Sequence, residues 1–350
     1  MAKGKNVIGL DIGSSAVKLC HLRDAKKGLQ LAAFDMAPLP KEAIVDGALM
    51  DSGAIVDAIR ELVGRNKIKM KETALSVSGN SVIIKKIPLP PMSREELEQS
   101  IQWEAEQYIP FDINDVYLAV EVLDQNAQPG QMDVLLVAAK KDLIADYTTV
   151  VKEAGLNPLI VDVDAFCLQN MFEVNYGQVM GESIVLLDIG ASTININVVA
   201  DGITMFTRDV SMGGNQVTEE IQKQLNITYE EAETYKKGGG SSDAVIPHEV
   251  EKVIQQVSDS LAGEIQRSLD FYAATSADGN ISRIYLSGGT GNIPSLGRII
   301  GRTSGVPVEL INPFRNIAAD PKVFNPAYLE SVGPIAAVSV GLALRRTNET

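Results

Sequence analysis

The sequence predicts an α/β protein of two similar lobes, each built from a mixed sheet covered by helices. The 350-residue chain is 45% apolar and 22% charged, which is enough apolar material for more than one large core. Residues 7–19 also match residues 184–196 position by position. This places Asp11 and Asp188 at equivalent points about half a chain apart, as an internal duplication would.

Each copy of the repeat begins with a buried strand, a tight Asp-Ile-Gly turn and a second strand. Strands and helices then alternate in a similar order after both copies. The predicted elements are a strand at 29–38, an amphipathic helix from Asp51, a strand at 74–78, a strand at 203–209, helices from Asn215 and His248, a strand at 283–287 and a helix at 292–301. This order describes two ribonuclease-H-like halves with covered sheets.

Residues 88–154 do not fit the repeat and predict a small inserted α+β subdomain. Its first four residues, Pro88-Leu89-Pro90-Pro91, predict a stiff extended connector. Ser93 and Glu96 have the spacing of a helix capping box. The remaining predicted features are a helix carrying Leu97, Ile101, Trp103 and Tyr108, strands near 116–123 and 133–139, and a helix from Lys141 to a C-cap at Gly155.

A second departure from the repeat, at 213–278, is predicted to be mostly helical, with a flexible turn at 238–242. The domain ranges follow from the repeat and its two insertions. They are 1–87, 155–183 and 334–350 for the first lobe core, 88–154 for the inserted subdomain, 184–212 and 279–333 for the second lobe core, and 213–278 for the helical subdomain of the second lobe.

Both Asp-Ile-Gly turns carry the residue types that a phosphate tail needs. Gly13 and Gly190 leave backbone N–H groups open to phosphate oxygens. Since a carboxylate beside a phosphate is repelled unless a cation lies between them, we predict that Asp11 and Asp188 hold a hydrated Mg²⁺ ion. The other predicted phosphate ligands are the hydroxyls of Ser14, Ser15, Ser192 and Thr193 and the ammonium group of Lys18.

A lone Asp-x-Gly is usually only a hairpin turn, so a third segment matters. Residues 284–292 predict a buried strand, a glycine turn at Gly288, Gly289 and Thr290, and a helix starting near Asn292. Such a junction suits the flat face of an adenosine and its first phosphate at a helix N-terminus. The three segments together predict a nucleotide triphosphate site between the lobes.

The three segments resemble the two phosphate motifs and the adenosine motif of the superfamily that contains actin, hexokinase and the heat-shock chaperone ATPases. The resemblance runs from end to end of the chain. It implies an actin-like two-lobed fold of duplicated ribonuclease-H-like domains with an inserted small α+β subdomain, and ATP and Mg²⁺ as ligands. Residues 154–166 and 333–343 are similar to the two connecting helices, whose small residues let the lobes pivot.

The same resemblance implies further nucleotide contacts in the second lobe. Gly213, Gly214 and Asn215 are similar to positions where the backbone approaches the nucleotide. Glu233 and Lys236, one helical turn apart, are similar to positions that hold the ribose hydroxyls and the base. The alternative for this last pair is an ordinary surface ion pair at i,i+3 spacing.

Asp164 resembles the position at which relatives orient the attacking water, and Asp162 is the alternative. Asp164 also has the residue type of a helix N-cap, which would give it a purely structural role. The sequence therefore leaves ATP turnover open and predicts at most a weak ATPase.

The first insertion indicates the branch of the superfamily. Its position and size resemble the FtsA and PilM branch, and residues 87–111 are closely similar to the PilM family of type IV pilus assembly proteins. FtsA chains end in an amphipathic membrane helix, whereas residues 344–350 are short and polar. The resemblance implies a cytoplasmic adaptor in pilus biogenesis and twitching motility, located peripherally at the inner membrane through a partner.

The implied partner is the cytoplasmic N-terminal peptide of PilN, with indirect links to PilO, other inner-membrane pilus components and the pilus motor. A net charge of −14 argues against nucleic acid or an anionic membrane surface as the main partner. No apolar run approaches the length of a membrane span, and no signal peptide is expected. The alternatives are a small-molecule kinase of the same superfamily and a filament-forming actin relative, and the sequence leaves room for weak self-association.

Overall fold

The computed structural model describes residues 4–26, 28–238, 247–276 and 279–348, which form two large mixed sheets, two small sheets and covering helices. The strands are β1 Ile8–Ile12, β2 Ala16–Ala25, β3 Gly28–Pro38, β4 Ile44–Val45, β5 Ala48–Leu49, β6 Glu72–Val77, β7 Val82–Leu89, β8 Val116–Gln128, β9 Gln131–Lys140, β10 Asn157–Val163, β11 Ser183–Ile189, β12 Ile194–Ala200, β13 Ile203–Val210, β14 Ile281–Ser287, β15 Val308–Leu310 and β16 Ile317–Ala318. The helices are α1 Ser52–Arg65, α2 Arg94–Glu106, α3 Lys141–Glu153, α4 Asp164–Tyr176, α5 Gly214–Leu225, α6 Tyr229–Lys236, α7 His248–Thr275, α8 Leu296–Ser304 and α9 Pro326–Ala343.

The two large sheets are the centres of two lobes, and both contain the predicted repeat. The first has the order β10-β6-β1-β2-β3-β16 and the second the order β13-β12-β11-β14-β15. In the first, β1 pairs antiparallel with β2 and parallel with β6; in the second, β11 pairs antiparallel with β12 and parallel with β14. Matched connections of this kind confirm the predicted two-lobed, duplicated α/β fold.

The register of the two hairpins puts the repeated aspartates at the same place. Asp11 lies opposite Lys18 in the first hairpin, and Asp188 lies opposite Asn195 in the second. Both aspartates sit near the carboxyl ends of strands that run parallel to a neighbour. Ligands of open α/β sheets bind at such edges, so the topology alone brings the two aspartates toward a common edge.

The inserted subdomain is a three-stranded sheet of order β7-β9-β8 covered by α2. The capping box is confirmed: the Ser93 hydroxyl accepts from the Glu96 amide, and the Glu96 carboxylate accepts from the Ser93 amide. Leu97 and Ile101 lie in the subdomain core. Trp103 is 77% exposed, and α2 ends at Glu106, so the prediction that Tyr108 lies on this helix is wrong.

The sheet of this subdomain begins at Val82 rather than at the predicted residue 88. Pro88, predicted as part of a connector, lies within β7, where it is opposite Asp133 of β9. Proline is tolerated there because β7 is an edge strand, which pairs with β9 on one side only. The first lobe therefore ends earlier than the predicted range 1–87.

Two other elements lie in a different lobe from their predicted range. Helix α3, placed within 88–154, packs its buried residues Tyr147, Val150 and Val151 into the first lobe core with α1. Strand β16, placed within 279–333, pairs parallel with β3 in the first sheet. Long-range packing decides both assignments, since neither segment has a local signal for one lobe.

The helix predicted from Asn292 is also displaced. Residues Gly289–Asn292 form a 3₁₀ turn, and α8 begins only at Leu296. Pro294 lies between the two and disfavours a helical conformation for the residue before it. The flexible turn predicted at 238–242 lies, from residue 239 onward, outside the described residues.

The two lobes are joined by α4 and α9, which cross at very short range. A Cβ atom on Gly341 would stand 1.9 Å from the carbonyl oxygen of Cys167, and one on Gly9 would stand 2.2 Å from that of Ser339. The predicted close backbone contact of the second connecting helix is thus present, and only glycine permits it. The range predicted for the first connecting helix, 154–166, is wrong, because Asn157–Val163 form strand β10 and α4 begins only at Asp164. Within the described ranges, every helix is too short or too polar to cross a bilayer.

Candidate nucleotide cleft

The carboxyl ends of the parallel strands in both lobes face one central cleft of about 1630 Å³. The cleft walls carry most of the predicted site residues from both lobes. These are Asp11, Gly13, Ser14, Ser15, Lys18, Asp164, Asp188, Gly190, Ser192, Thr193, Asn215, Glu233, Lys236, Gly288, Gly289, Thr290 and Asn292. Residues that are far apart in sequence therefore converge on one space large enough for a nucleotide.

The two Asp-Ile-Gly turns touch each other across the cleft. The Ser192 hydroxyl donates a 2.8 Å hydrogen bond to the Ser14 hydroxyl. Each turn is closed by its glycine amide, Gly13 to Ala16 and Gly190 to Thr193. Elsewhere in the two turns, the amides of residues 14, 15, 191 and 192 donate to no acceptor within the described ranges. Unused amides lining a polar cleft are what an anion such as a phosphate needs.

Four charged groups share the floor of the cleft. Lys18 Nζ lies 3.1 Å from a carboxylate oxygen of Asp11, and Asp188 Oδ1 accepts a 2.7 Å bond from the Ser287 hydroxyl. Burial alone would lower the pKa of Lys18, but the carboxylates of Asp11, Asp188 and Asp164 together raise it. Lys18 is therefore a fixed positive charge among three carboxylates.

Two of these carboxylates hold their protons unusually tightly. Removal from bulk water raises the pKa of Asp164 to about 7, helped by the charge of Asp11 and opposed by the hydroxyls of Ser76 and Ser78. Removal from water likewise raises the pKa of Asp188 to about 6, against the bond from Ser287. Crowded carboxylates with raised pKa values are stabilised by a cation placed between them.

Because the carboxylates are crowded at the cleft floor, we expect that replacing Asp164 by a neutral residue stabilises the folded protein. Because the folded protein binds the Asp164 proton more tightly than the unfolded chain, the contribution of Asp164 to stability is largest below about pH 4 and declines as the pH rises to about 7. We expect Asp164→Asn to stabilise nucleotide-free protein by about 1 kcal/mol at pH 4.5 and by about 3–4 kcal/mol at pH 8. Urea unfolding at both pH values measures this difference.

The control for Asp164→Asn is Asp57→Asn, which removes one negative charge from an exposed position on α1. It corrects for the general benefit of lowering the net charge. A stabilisation of equal size at both pH values, or destabilisation at pH 8, would contradict the raised pKa of Asp164.

Asp164 is the first residue of α4, and Val163 is its N-cap, so the N-cap alternative for Asp164 is wrong. The alternative candidate Asp162 is engaged elsewhere, since its carboxylate lies 2.9 Å from Arg345 Nη1. Asp164 is thus the better placed of the two for any role at the cleft floor. Its role in orienting water stays a prediction.

Gly213 and Gly214 are exceptions among the predicted contacts, because they lie behind the second turn instead of on the cleft wall. A Cβ on Gly213 would stand 2.6 Å from the carbonyl oxygens of Gly190 and Ala191, and one on Gly214 would stand 2.4 Å from the Thr290 hydroxyl. The amides of Gly214 and Asn215 donate to these same two carbonyls. The N-terminus of α5 therefore supports the turn from the protein side.

The Glu233–Lys236 pair is an ion pair, but it is not on the surface. The two side chains are 17% and 12% exposed, and both bond to the Thr218 hydroxyl. Lys236 Nζ also donates to the carbonyl oxygen of Gly214. Burial would raise the pKa of Glu233, but Lys236 and its neighbours hold it below its usual value. The pair is a rigid, charged part of the cleft wall, and its contact with ribose and base stays a prediction.

The predicted adenosine segment is tied to its surroundings through side chains. Gly288 has a φ of 86°, and a Cβ there would stand 2.3 Å from the carbonyl oxygen of Ile189. The Thr290 hydroxyl donates to the carbonyl of Gly190, and the Asn292 amide donates to the carbonyl of Ser331. The backbone of Gly288 is also engaged within the protein, since its N–H donates to the carbonyl of Pro334 and its carbonyl accepts from the N–H of Gly291. Gly288 and Gly289 therefore contribute a cleft wall without side chains, and Thr290 and Asn292 tie that wall to its surroundings.

Three groups of cleft residues were not predicted from the sequence. Lys41 of the first lobe lies 5.5 Å from the ring centroid of Tyr229 in the second, bridging the cleft. Ser76 and Ser78 reach Asp164, and Asn195 and Asp209 lie beside them. Only Asn195 had a usable signal: it occupies the position in the second repeat that Lys18 occupies in the first.

The residues present fit a nucleotide with a hydrated cation better than a metal held by protein alone. In the described parts of the chain, no three histidine, cysteine, aspartate or glutamate side chains are grouped closely enough to hold a metal ion. Mg²⁺ usually takes one or two carboxylates and fills its shell with water and phosphate oxygens. Asp11 and Asp188 suit that arrangement, next to unused turn amides.

Comparison with known proteins agrees with this fold. The model of a family described as type IV pilus assembly protein PilM matches residues 9–347. A solved structure described as a PilM–PilN type IV pilus biogenesis complex superposes with a TM-score of 0.87 at 29% identity, covering 97% of this chain and 98% of that one.

Two further proteins are similar to this chain, one in structure and one in sequence. The ADP-bound MreB5 of Spiroplasma citri superposes with a TM-score of 0.53 at 14% identity, covering 96% of this chain and 94% of its own. The cell division protein FtsA of Bacillus subtilis strain 168 is 23% identical over an alignment of 258 positions, and the match covers 66% of this chain. The chain spans 57% of the length of that curated relative.

Proposed function

The chain belongs to the PilM family of type IV pilus assembly proteins, and from this membership we propose that it is a nucleotide-bound adaptor of the pilus machine. Its task is to dock the cytoplasmic N-terminal peptide of PilN and so help to build the inner-membrane platform for pilus biogenesis and twitching motility. Through PilN it would lie at the cytoplasmic face of the inner membrane and connect indirectly to PilO, other pilus components and the motor.

One observation carries the adaptor role above the others: the match to the PilM–PilN complex covers nearly the whole of both chains at 29% identity. A match of that extent includes the inserted subdomain as well as the two lobes. The inserted subdomain has its own apolar core and exposes two large aromatic side chains, Trp103 and Tyr117. It therefore adds its own contact surface to that of the lobes.

The cleft supports ATP and Mg²⁺ as the ligands of this adaptor. When bound, Mg·ATP supplies a phosphate tail and a cation that bridge the lobes. The chain contributes unused amides from both turns, the carboxylates of Asp11 and Asp188 for the cation, and Lys18 as a positive charge beside them. Because these groups come from both lobes, a nucleotide that contacts all of them favours the closed arrangement.

These side chains fit a cleft that keeps ATP bound better than one that hydrolyses ATP rapidly. Of the two candidates for orienting water, Asp162 is paired with Arg345, whereas Asp164 lies at the cleft floor. The pKa of Asp164, raised to about 7, leaves about half of this carboxyl group protonated near pH 7. A protonated carboxyl is a poor general base. We therefore propose that bound ATP sets the state of the adaptor and is hydrolysed slowly.

The test is direct binding of a fluorescein-labelled PilN N-terminal peptide from the same organism. We expect fluorescence anisotropy to rise and saturate on titration with the ATP-loaded protein, and to fall when unlabelled peptide is added. A scrambled peptide of the same composition is the control for charge alone. If the native and scrambled peptides bind equally, or neither binds with or without ATP, the adaptor role is wrong and the nucleotide cleft still stands.

A further inference from the structure

Asp209 makes a hydrogen bond that crosses from one lobe to the other. It lies near the end of β13 in the second lobe, and its Oδ2 accepts a 2.5 Å bond from the backbone N–H of Gly79 in the first. Its Oδ1 accepts a 2.8 Å bond from the side-chain amide of Asn195. Both oxygens are thus engaged in a fixed geometry, and a carboxylate acceptor makes each bond stronger than a neutral one.

Gly79, which donates this hydrogen bond to Asp209, belongs to the junction with the inserted subdomain. Gly79 lies in the turn between β6, a strand of the first lobe sheet, and β7, the first strand of the subdomain sheet. The carbonyl of Gly79 accepts from the amide of Val82, and that of Ser81 accepts from the amide of Lys140. A shift of Gly79 is therefore passed directly to β7 and β9.

The other side of this contact reaches the nucleotide cleft. Asp209 and Gly79 both line the cleft, and both also line a smaller cavity of about 260 Å³ beside β7. Asn195, which holds Asp209, stands opposite Asp188 in the β11–β12 hairpin. Ser78, next to Gly79, contacts Asp164. Groups at the cleft floor thus touch both ends of the Asp209–Gly79 bond.

Comparison of the two repeats isolates this feature. In the first hairpin, Lys18 stands between Asp11 and Met36 and pairs with Asp11 inside its own lobe. In the second, Asn195 occupies the place of Lys18, and Asp209 occupies the place of Met36. In the second copy, a hydrogen-bonded pair of Asn195 and Asp209 therefore stands at these positions instead of the Lys18–Asp11 ion pair. Asp209 also accepts the hydrogen bond from Gly79 in the other lobe.

We propose that Asp209 is an interlobe latch that transmits closure of the nucleotide cleft to the inserted subdomain through Gly79 and β7. This inference rests on the proposed function for its biological meaning, since the subdomain is where the chain offers partner surface. The latch itself depends only on the nucleotide cleft. Closure of the cleft on Mg·ATP stabilises the Asp209–Gly79 hydrogen bond. The turn between β6 and β7 is then fixed, and with it the position of the β7-β9-β8 sheet.

Hydrogen–deuterium exchange of the full chain, with and without Mg·ATP, tests the latch. In the wild type we expect Mg·ATP to slow exchange at residues 79–89 by about fivefold or more, alongside protection of residues 12–15 and 188–193. Asp209→Ala should keep the protection of both turns and lose it at 79–89. Asp209→Asn, which keeps the shape of the side chain without its charge, should lose part of the protection at 79–89. This variant replaces Asp209→Ala in the test if the alanine variant does not fold.

The matched control is Asp201→Gly. The Asp201 carboxylate also accepts from a backbone amide, that of Gly181 at 2.6 Å, but this bond joins the turn between β12 and β13 to the segment just before β11, at the end of the second sheet opposite the cleft. Glycine suits the φ of 51° at residue 201. The control should show wild-type protection at 79–89. An absent nucleotide effect at 79–89 in the wild type, or its full retention in folded Asp209→Ala, overturns the latch.

Peptide titration adds a second readout that separates the latch from the adaptor role. If the PilN peptide binds, we expect its Kd for the wild type to change by about fivefold or more when Mg·ATP is added. For Asp209→Ala, the Kd values with and without Mg·ATP should agree within about twofold. Equal ratios in the two proteins would count against the latch. If no peptide binds to the wild type, the adaptor role fails, and hydrogen exchange alone decides the latch.

Discussion

Replacing Asp11 by alanine is expected to raise the Kd for Mg·ATP by about 100-fold. Asp11 stands at the end of β1, faces the cleft and is within 3.1 Å of Lys18. We have proposed that it shares a hydrated Mg²⁺ with Asp188, and removing one of two protein carboxylates from such an ion removes most of its anchoring. Calorimetric titration with ATP in Mg²⁺ and in EDTA measures the loss.

The contrast between Mg²⁺ and EDTA separates the metal role from simple repulsion. Because alanine frees Lys18 from its partner, the metal-independent affinity for ATP should stay the same or improve. Wild-type protein should need Mg²⁺ for tight binding, whereas Asp11→Ala and Asp188→Ala should bind weakly and equally in both buffers. Asp57→Ala, at an exposed position on α1, is the control. Unchanged Mg·ATP affinity in both cleft variants would refute the site assignment.

Gly341→Ala is expected to lower the stability of the fold by about 2–4 kcal/mol. The new Cβ would stand 1.9 Å from the carbonyl oxygen and 2.5 Å from the carbonyl carbon of Cys167. Both are backbone atoms of α4, so no rotamer change relieves the overlap and the two connecting helices have to separate. Thermal unfolding should show a fall in Tm of about 5–10 °C.

Gly64→Ala is the matched control, because Gly64 is also inside a helix, α1, but a Cβ there meets nothing within 4 Å. Alanine has the higher helix propensity, so this variant should be as stable as the wild type or more stable by up to about 1 kcal/mol. A Gly341→Ala protein as stable as Gly64→Ala would mean that α4 and α9 do not pack as closely as described.

The parts of this molecule that local sequence predicted are those with local causes. The repeated Asp-Ile-Gly turns place Asp11 and Asp188 through hairpin register, and the Ser93–Glu96 capping box depends on four consecutive residues. Such features depend on short-range geometry and hydrogen bonding. They were therefore readable before any tertiary contact was known.

The parts that the sequence did not predict depend on contacts between distant segments. Pro88 reads as a strand breaker, and only its place on an edge strand allows it within β7. Gly213 resembles a ligand contact but supports a turn, because the nearest atoms are carbonyls of the second hairpin. The bond from Gly79 to Asp209 joins residues 130 positions apart, and no local pattern marks either one.

The exposed side chain of Trp103 gives the protein a built-in optical reporter. It is the single tryptophan of the chain, so emission excited at about 295 nm comes from one place on the outer face of α2. An indole that is 77% exposed emits at long wavelength, and a partner that covers it would shift the emission toward the blue. Docking of a partner on the inserted subdomain can therefore be followed without a label.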